Sequence, residues 1–423
     1  MANLEDITRA IAEREAELRE KLSAEKIIGR QHEDMAKKLL STDVALVITG
    51  VRRCGKSILA FSLGSGNCGY VNFEDERLEM KASELNKVLE AIYALKGDCN
   101  FFVFDEIQNI RGWEKFVSRL VPAHKIIVTG SNARLLSKEF ATALTGRHLT
   151  FTLFPFSFRE FLLYRDFKPD VHLTKDVARI KKHLDEYLEL GGFPLAYKVG
   201  KLFLSELYSD VIERDVIQRY GIRYQTLLKD IAKYLVSNFA TEISHNKIRK
   251  IFGVKSAHTV NKYIGCLKNS FLLFEIQRFS PKLKESLKAP KKIYCIDTGM
   301  AQQVSANASK RAGALMENLV AIELQRRKSY SDVKLDVFYW KDYQQAEVDF
   351  VVREEDRTKE LIQVTYASEK NEVPEREVRS LIKAGQALKC RNLLVVTWDF
   401  EGEEKTGRTT VRYVPLWKWL LEQ

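Results

Sequence analysis

A glycine-rich stretch near residue 50 has the spacing of a phosphate-binding loop. The segment GVRRCGKS fits G-x-x-x-x-G-K-S, and it follows the apolar run VALVIT and precedes a predicted helix. Glycines let backbone N–H groups turn toward phosphate oxygens, and the N-terminus of the helix adds positive potential. We expect Lys56 to contact the β- and γ-phosphates of a nucleotide and Ser57 to ligate Mg²⁺. The predicted nucleotide-binding residues are Gly50, Arg52, Arg53, Cys54, Gly55, Lys56, Ser57 and Ile58.

About fifty residues later, the apolar run FFVFDE ends in two acids. Asp105 is expected to hold the Mg²⁺, and Glu106 is expected to polarise the attacking water. The order and spacing of this pair relative to the glycine loop predict hydrolysis of ATP, with ATP and Mg²⁺ as the cofactors.

Two later positions complete the predicted catalytic set. The strand KIIVTGSN ends in Ser131 and Asn132, and either side chain could contact the γ-phosphate or the water. Arg147 precedes another predicted strand and could reach the nucleotide of a neighbouring subunit as an arginine finger, so a homo-oligomer is expected. The alternative for Arg147 is an ordinary surface arginine. The catalytic candidates are therefore Lys56, Glu106, Ser131, Asn132 and Arg147.

A basic block supplies a second kind of candidate site. The chain carries a net charge of +11, and residues 245–292 contain twelve Lys or Arg against two acids. This segment has the pattern of a helix-turn-helix followed by a wing, and its exposed side chains predict contact with DNA. A solvated basic face is the alternative. The predicted DNA-binding residues are Lys255, His258, Thr259, Asn261, Lys262, Lys282, Lys284, Lys288, Lys291 and Lys292.

The elements that position these residues follow from the hydrophobic pattern. Residues 4–40 have helical periodicity, and from 44 to 160 apolar strands alternate with helices, which predicts a parallel sheet covered on both faces. Residues 157–240 are mainly helical, and a further α/β region begins near 313. No apolar run approaches the length of a membrane helix, and the six cysteines form no Cys-x-x-Cys pair. We therefore expect a cytoplasmic protein with no membrane partner.

Several motifs in this order resemble those of the archaeal and bacterial AAA-type ATPases. They are VITGVRRCGKS, VFDEIQNIRGWEKFV, VTGSNARLL, YLELGGFP and YWKDYQQAEVDFVV. The resemblance implies an α/β fold with an AAA+-like P-loop core, a helical lid, a winged helix and a C-terminal domain similar to PD-(D/E)XK nucleases and restriction endonucleases. The implied boundaries are an N-terminal helical segment (1–34), the ATPase core (35–160), the lid (161–225), the winged helix (226–300) and the nuclease-like domain (301–423).

The resemblance also implies a vestigial metal site in the C-terminal domain. Glu317 and Asp349 match acidic positions of such nucleases, and Gln363 keeps an oxygen ligand without the negative charge. Thr365 stands where a lysine is needed, and Lys341 is a possible replacement from another strand. We expect this nuclease-like domain to be catalytically degenerate.

The predicted function is an AAA+-type ATPase that acts as a nucleotide-driven switch or motor and engages DNA through the basic winged helix. Two alternatives stay open from the sequence. One is an ATP-gated DNA nuclease, and the other is an ATP-dependent regulatory or signalling scaffold that does not bind DNA.

Overall fold

A computed structural model describes residues 3–64, 68–133, 146–305, 311–407 and 409–422. This part of the chain divides into two compact units, Met1–Pro155 with Asn269–Phe271, and Phe156–Lys268 with Leu272–Gln423. The predicted boundaries at 225/226 and 300/301 both fall inside the second unit. Strands on either side of residue 300 share one sheet.

The described part of the first unit contains a five-stranded parallel sheet with the order β2-β3-β4-β1-β5. Its strands are β1 (Ala45–Thr49), β2 (Gly69–Asn72), β3 (Phe101–Asp105), β4 (Lys125–Gly130) and β5 (His148–Thr152). Its helices are α1 (Leu4–Ala24), α2 (Glu33–Leu40), α3 (Lys56–Leu63), α4 (Leu85–Lys96) and α5 (Glu114–Leu120). The alternation of strands and helices predicted from the sequence is confirmed here.

The strands of this first sheet are apolar because both faces are covered. All five residues of β1 are buried, and Val47, Phe102 and Phe104 join a core to which α1 contributes Ile7 and Ile11. Parallel strands place their carboxyl ends on one edge, so the polar residues that follow β1, β3 and β4 are brought together there.

The second unit begins with helices. These are α6 (Phe158–Tyr164), α7 (Thr174–Leu190), α8 (Ala196–Val199), α9 (Lys201–Asp210), a π-helical continuation (Val211–Gln218) and α10 (Gln225–Ser237). Later helices are α11 (His245–Ile251), α12 (Ala257–Asn269), α13 (Leu283–Lys288), α14 (Thr298–Val304), α15 (Ala312–Ser329), α16 (Glu375–Leu388) and α17 (Leu416–Leu421).

In the described residues of this unit, nine strands form one mixed sheet with the order β13-β14-β12-β11-β10-β9-β7-β8-β6. The strands before residue 300 are β6 (Thr241–Ile243), β7 (Leu273–Arg278) and β8 (Lys291–Cys295). Those after it are β9 (Leu335–Lys341), β10 (Glu347–Glu354), β11 (Arg357–Val364), β12 (Leu393–Thr397), β13 (Gly402–Thr406) and β14 (Thr409–Pro415). Parallel pairing of β7 with β9 joins the two groups, so the basic segment and the C-terminal strands share a continuous sheet.

A buried aspartate fixes the turn after α7 to the start of α14. The Asp297 carboxylate accepts the Gly192 N–H at 2.6 Å and the Met300 N–H at 2.8 Å. Gly191 has a φ of +71°, and a Cβ there would lie 2.1 Å from Asp297 Oδ1. The first glycine of the GG pair in YLELGGFP is therefore explained by its close approach to Asp297, a role that sequence reasoning did not assign.

Across the described ranges of the chain, none of the helices is both long enough and apolar enough to cross a membrane.

Candidate functional sites: a phosphate loop and a carboxylate–lysine cluster

The loop between β1 and α3 has the backbone that its glycines predict. Gly50 has a φ of +149°, and a Cβ there would lie 2.2 Å from the Leu153 carbonyl oxygen. Gly55 has a φ of +102° and directly precedes Lys56, the first residue of α3. The N–H groups at the start of a helix carry positive potential, so the N-terminus of α3, which directly follows this loop, suits an anion.

Lys56 and Glu106 meet beside this loop. Lys56 Nζ lies 3.3 Å from Glu106 Oε1 and 3.3 Å from the Val51 carbonyl oxygen, which it can donate to. Glu106 Oε2 accepts the Ser131 N–H at 3.2 Å and a hydrogen bond from the Gln108 amide. Glu106 has a left-handed backbone with a φ of +51°, and such strain in a non-glycine residue is frequent at functional sites.

Asp105 lies at the end of β3 and is completely buried. Its carboxylate accepts hydrogen bonds from the hydroxyls of Tyr70, at 2.7 Å, and Thr129, and it also interacts with the Ser57 hydroxyl. Burial and the neighbouring Glu106 raise the pKa of Asp105, while these hydroxyl groups oppose the rise. The oxygens of Ser57 and Asp105 are adjacent and are of the kind that Mg²⁺ prefers, so the donor set fits the Mg²⁺ of a bound Mg-ATP.

The remaining predicted residues of the loop differ in exposure. Arg52 pairs with Glu74 at 2.8 Å, Arg53 is exposed, and Cys54 is buried with its thiol directed to the Leu153 carbonyl. Burial raises the pKa of the Cys54 thiol, which disfavours a reactive thiolate. Ile58 is half-buried on the first turn of α3.

Ser131 and Asn132 are buried just after β4, as parallel pairing beside β3 and β1 predicts. The Ser131 backbone reaches Glu106, whereas Arg147 is exposed immediately before β5, which forms one end of the sheet order.

Three residues that the sequence reasoning left out of the site contact it. Tyr70 and Thr129 donate to Asp105, and Arg30 donates to the carbonyls of Cys54, at 3.0 Å, and Phe154, at 2.7 Å. The available signal for Tyr70 and Thr129 was their place on β2 and β4, which flank the acid-bearing strand. For Arg30 the signal was the segment IIGRQHE (27–33), which resembles the Gly-Arg element that leads into the adenine pocket of related ATPases, although this resemblance did not predict the contacts with the loop.

The second cluster lies in the sheet of the second unit and corrects one prediction. Lys292 was expected to contact DNA phosphates from the wing, but it is 3% exposed and lies on β8. Its Nζ lies 2.9 Å from Glu317 Oε1, 2.9 Å from Asp349 Oδ1 and 2.7 Å from Glu347 Oε1. Consecutive strand residues point to opposite faces, so Lys292 turns inward while Lys291 pairs with Glu275 at 3.2 Å.

Lys341 does not take the position proposed for it. Its ammonium pairs with Glu242 at 3.2 Å and with Glu347 at 3.1 Å, at the outer side of the cluster. The lysine at the centre is Lys292. The signal that could have identified it is its place in the buried strand KKIYC, two residues before Tyr294 on the same strand face.

Charge balance holds this cluster together. Burial by itself would lower the pKa of Lys292, but the carboxylates of Asp349 and Glu317 raise it well above its ordinary value. Burial and Asp349 raise the pKa of Glu317 to about 7, although Lys292 and the Tyr294 hydroxyl favour its ionised form. The Tyr294 hydroxyl donates to Glu317 at 2.7 Å, and the Val364 N–H donates to Asp349 at 3.0 Å.

Glu317, Asp349, Gln363 and Thr365 line one cavity of about 710 Å³. The predicted vestigial residues are thus brought together, with Glu347, Arg376 and Glu377 as further lining residues. Gln363 Oε1 is buried without a hydrogen-bond donor among the described residues, and that oxygen could ligate a cation. The ammonium of Lys292, however, already contacts the carboxylates. Among the described residues no group of three or more acidic, His or Cys side chains could hold a metal ion, so the residues do not fit a divalent cation as they stand.

Most of the predicted DNA-contacting residues lie at the surface. Val260, Ile264 and Leu267 of α12 are buried. The exposed members of the predicted set are Lys255, His258, Asn261, Lys262, Lys282, Lys284 and Lys288, while Thr259 and Lys291 are half-buried. The predicted wing contains the helix α13 between β7 and β8.

Matches to known families cover most of the chain. Residues 42–162 match an AAA domain, which contains the phosphate loop, Asp105 and Glu106. Residues 181–311 and 312–419 match two domains of unknown function, DUF8612 and DUF4143. The boundary between these two separates Lys292 from Glu317, Glu347 and Asp349.

Several solved structures resemble this chain at low similarity. The replication initiator DnaA bound to AMPPCP and single-stranded DNA has a TM-score of 0.24 and 16% identity, and the match covers 57% of this chain and 90% of that one. Cdc6p from Pyrobaculum aerophilum has a TM-score of 0.27 and 11% identity, covering 70% and 97%.

Two relatives match nearly the whole chain. A protein of Haemophilus influenzae is 29% identical, and the match covers 90% of this chain and 95% of that protein. A protein of Methanocaldococcus jannaschii is 37% identical over 419 residues, covering 94% of this chain and 91% of its own length. The chain therefore belongs to the family of this Methanocaldococcus jannaschii protein, and within it residues 42–162 are an AAA domain.

Proposed function

We propose that this protein binds and hydrolyses ATP at the phosphate loop of its first unit. The observation that carries the proposal is the meeting of Lys56, Ser57, Asp105 and Glu106 where β1 and β3 end beside the N-terminus of α3. A loop of this geometry binds phosphate oxygens, and the two acids supply a magnesium ligand and a group for the attacking water.

Glu106 takes the role of orienting the water. It is held by the Ser131 N–H and the Gln108 amide, and its other oxygen faces Lys56. When a triphosphate enters the loop, Lys56 exchanges this carboxylate for phosphate oxygens, and one oxygen of Glu106 becomes available to water. Asp105 and Ser57 are the residues that hold the Mg²⁺ of the substrate.

Glu106→Gln tests this assignment, because it keeps the hydrogen-bonding shape and removes the charge. We expect Mg-ATP to bind within about threefold of wild type and phosphate release to slow by about 100-fold or more. Fluorescent-nucleotide binding and phosphate release measure the two steps. Glu90→Gln, an exposed change on α4, is the control. Normal turnover of Glu106→Gln would overturn the assignment of the water-orienting role.

We further propose that ATP turnover changes how the second unit engages DNA through a winged helix formed by α11, α12 and the segment from β7 to β8. Supporting this proposal is the exposure of the basic side chains on α12 and in the segment Lys282–Lys288, because lysines that face water can contact phosphates. Lys292 is left out of this surface because it is buried. The helices of residues 161–225 are proposed as the lid of the ATPase.

Salt dependence tests the DNA proposal. Binding to duplex, single-stranded and branched DNA is expected to weaken steeply as salt rises, and replacing Lys282, Lys284 and Lys288 together by Ala should reduce the slope of log K against log salt by up to about 3. ATP turnover is measured in the same samples. A flat salt response, with turnover unaffected by any DNA, would instead favour the regulatory scaffold without DNA binding.

We propose that the C-terminal cavity is a degenerate nuclease-like site. Gln363 and Thr365 replace a carboxylate and a lysine expected from the resemblance, and an ammonium stands among the carboxylates. Plasmid and branched DNA incubated with Mg²⁺ or Mn²⁺ should stay intact. A product that disappears in Asp349→Ala would instead establish the ATP-gated nuclease.

Arg147 is proposed as an arginine finger in a homo-oligomer, which its exposure beside β5 permits. Light scattering with ATP and the Glu106→Gln variant measures the assembly. Loss of turnover in Arg147→Ala with ATP affinity unchanged supports the role, and a fully active monomer would contradict it.

A further inference from the structure

Lys292 occupies the centre of the carboxylate cluster in the way a bound cation would. Its ammonium has three hydrogens, and the carboxylates of Glu317, Glu347 and Asp349 lie at 2.7 to 2.9 Å from its nitrogen. These are the distances of strong charge-assisted hydrogen bonds. The side chain is 3% exposed, so water provides little competition for these contacts.

A second observation points to a ligand that this cavity is built to receive. Gln363 is 6% exposed and lines the cavity, and its Oε1 meets no hydrogen-bond donor among the described residues. Buried acceptors without a partner are rare in folded proteins, because the lost hydration is not replaced. An oxygen of this kind beside Asp349 and Glu317 is a potential ligand for a hard divalent cation.

The ammonium and a divalent cation cannot share the cluster. Magnesium and manganese need oxygens at close to 2 Å, and they would lie within a few ångströms of the positive Nζ if bound by the same carboxylates. The ammonium has the advantage of being covalently attached to a rigid strand, β8, whose neighbours β6 and β7 fix its position.

We propose that Lys292 is a built-in counter-ion that closes a latent divalent-cation site formed by Glu317, Asp349 and Gln363. The cavity of the wild-type protein therefore excludes Mg²⁺ and Mn²⁺, and removing the ammonium opens it. This inference deepens the proposed degeneracy of the cavity and is independent of ATP hydrolysis.

The inference is tested by measuring how Mn²⁺ binds to the nucleotide-free, full-length protein. Calorimetry measures the heat of binding, and electron paramagnetic resonance measures the Mn²⁺ that stays free. Lys292→Met is expected to bind one Mn²⁺ at least about tenfold more tightly than wild type, because a positive charge has left the cluster. The double variant Lys292→Met with Asp349→Asn should lose that binding, which assigns it to this cavity. Lys341→Met, which removes another lysine beside Glu347, is the matched control and should bind Mn²⁺ like wild type.

A second measurement leaves Lys292 in place, so the inference can be tested even if Lys292→Met does not fold. If the counter-ion closes the site, Asp349→Asn in the wild-type background leaves the Mn²⁺ titration unchanged. A Mn²⁺-binding event in wild type that Asp349→Asn abolishes would overturn the inference, and so would a folded Lys292→Met that gains no affinity.

The same samples separate this inference from the proposed degeneracy. If wild-type protein binds Mn²⁺ at Asp349 and leaves DNA intact, the proposed counter-ion role of Lys292 is wrong, and the proposed degeneracy of the site stands. Protein that binds Mn²⁺ there and also cleaves DNA overturns both.

Discussion

Each unit of this protein contains a buried lysine that contacts at least one carboxylate, and the surroundings of the two lysines differ. Lys56 is the first residue of a helix, and its Nζ is 3.3 Å from Glu106 and 3.3 Å from a carbonyl oxygen of its own loop. Lys292 lies within a strand of a nine-stranded sheet, and carboxylates from α15 and β10 lie 2.7 to 2.9 Å from it.

The difference teaches that the same amine can be a ligand-binding group or a structural cation, depending on how short its contacts with carboxylates are. The contacts of Lys56 with Glu106 and Val51 are longer than strong charge-assisted hydrogen bonds, so a phosphate can replace them at little cost. Lys292 has a carboxylate for each of its three N–H groups, and a new anion offers it nothing more. Two experiments test this comparison directly, and two more test the buried contacts of the second unit.

The largest expected effect comes from exchanging each lysine and measuring ATP turnover. Lys56→Ala should lower turnover by about 1,000-fold, because the phosphates lose their positive partner in a water-poor loop. Lys292→Met should stay within about twofold of wild type. Lys115→Ala, an exposed change in the first unit, is the control, and equal losses in Lys56→Ala and Lys292→Met would erase the proposed division of roles.

Lys292, whose replacement should hardly change ATP turnover, should matter greatly for stability. Lys292→Met leaves several carboxylates buried together without their counter-ion, and this should lower the free energy of unfolding of the second unit by about 3–5 kcal/mol. Lys341→Met, at the more exposed side of the cluster, should cost about 1 kcal/mol or less. Urea denaturation followed by tryptophan fluorescence gives both values. If Lys292→Met and Lys341→Met lost the same free energy of unfolding, Lys292 would be no more important to stability than the lysine at the edge of the cluster.

Two glycines of the second unit allow the stability cost of backbone strain to be measured separately from the cost of a steric clash. Gly191 and Gly200 both have a positive φ, of +71° and +84°, but a Cβ at Gly191 would meet Asp297 at 2.1 Å while one at Gly200 meets nothing within 4 Å. Gly200→Ala should cost about 1–3 kcal/mol from strain alone. Gly191→Ala should cost roughly 1–3 kcal/mol more. Thermal unfolding measures the difference, and equal costs would show that the contact with Asp297 relaxes easily.

The last test is a change of stability with pH at Asp297, an acid whose described contacts are with backbone N–H groups. Burial raises its pKa to about 6, although the N–H groups of Gly192 and Met300 favour the charged form. The folded state therefore holds this proton at a higher pH than the unfolded state, and its contribution to the free energy of unfolding falls by roughly 3 kcal/mol as pH rises from about 4 to about 6. In Asp297→Asn the free energy of unfolding should change less between about pH 4 and about pH 6 than in wild type, even if the variant is less stable at every pH. An unchanged slope would contradict the raised pKa.

The first unit was largely predictable because its signals are local. An apolar strand, a glycine loop and a helix follow one another within about twenty residues, and the acids end the strand FFVFD. Parallel pairing then places Asp105 near Ser57 with no further information. Tyr70 and Thr129 were missed because a hydroxyl on a neighbouring strand carries no motif.

The second unit was less predictable because its contacts join distant segments. Charge counting grouped Lys292 with the surface lysines of the basic block, and only the pairing of β6, β7 and β8 turns it inward. No local pattern reveals that β7 pairs with β9, so the sequence alone does not show that strands on the two sides of residue 300 share one sheet.

The sequence by itself determined the phosphate loop, its two acids and the parallel sheet that carries them, because period, spacing and turn chemistry act within a short stretch of chain. Only the tertiary structure decided which lysine lies among the C-terminal carboxylates. That choice depends on the register of strands about fifty residues apart, and a charged side chain is buried there only because its partners from β10 and α15 compensate the lost hydration.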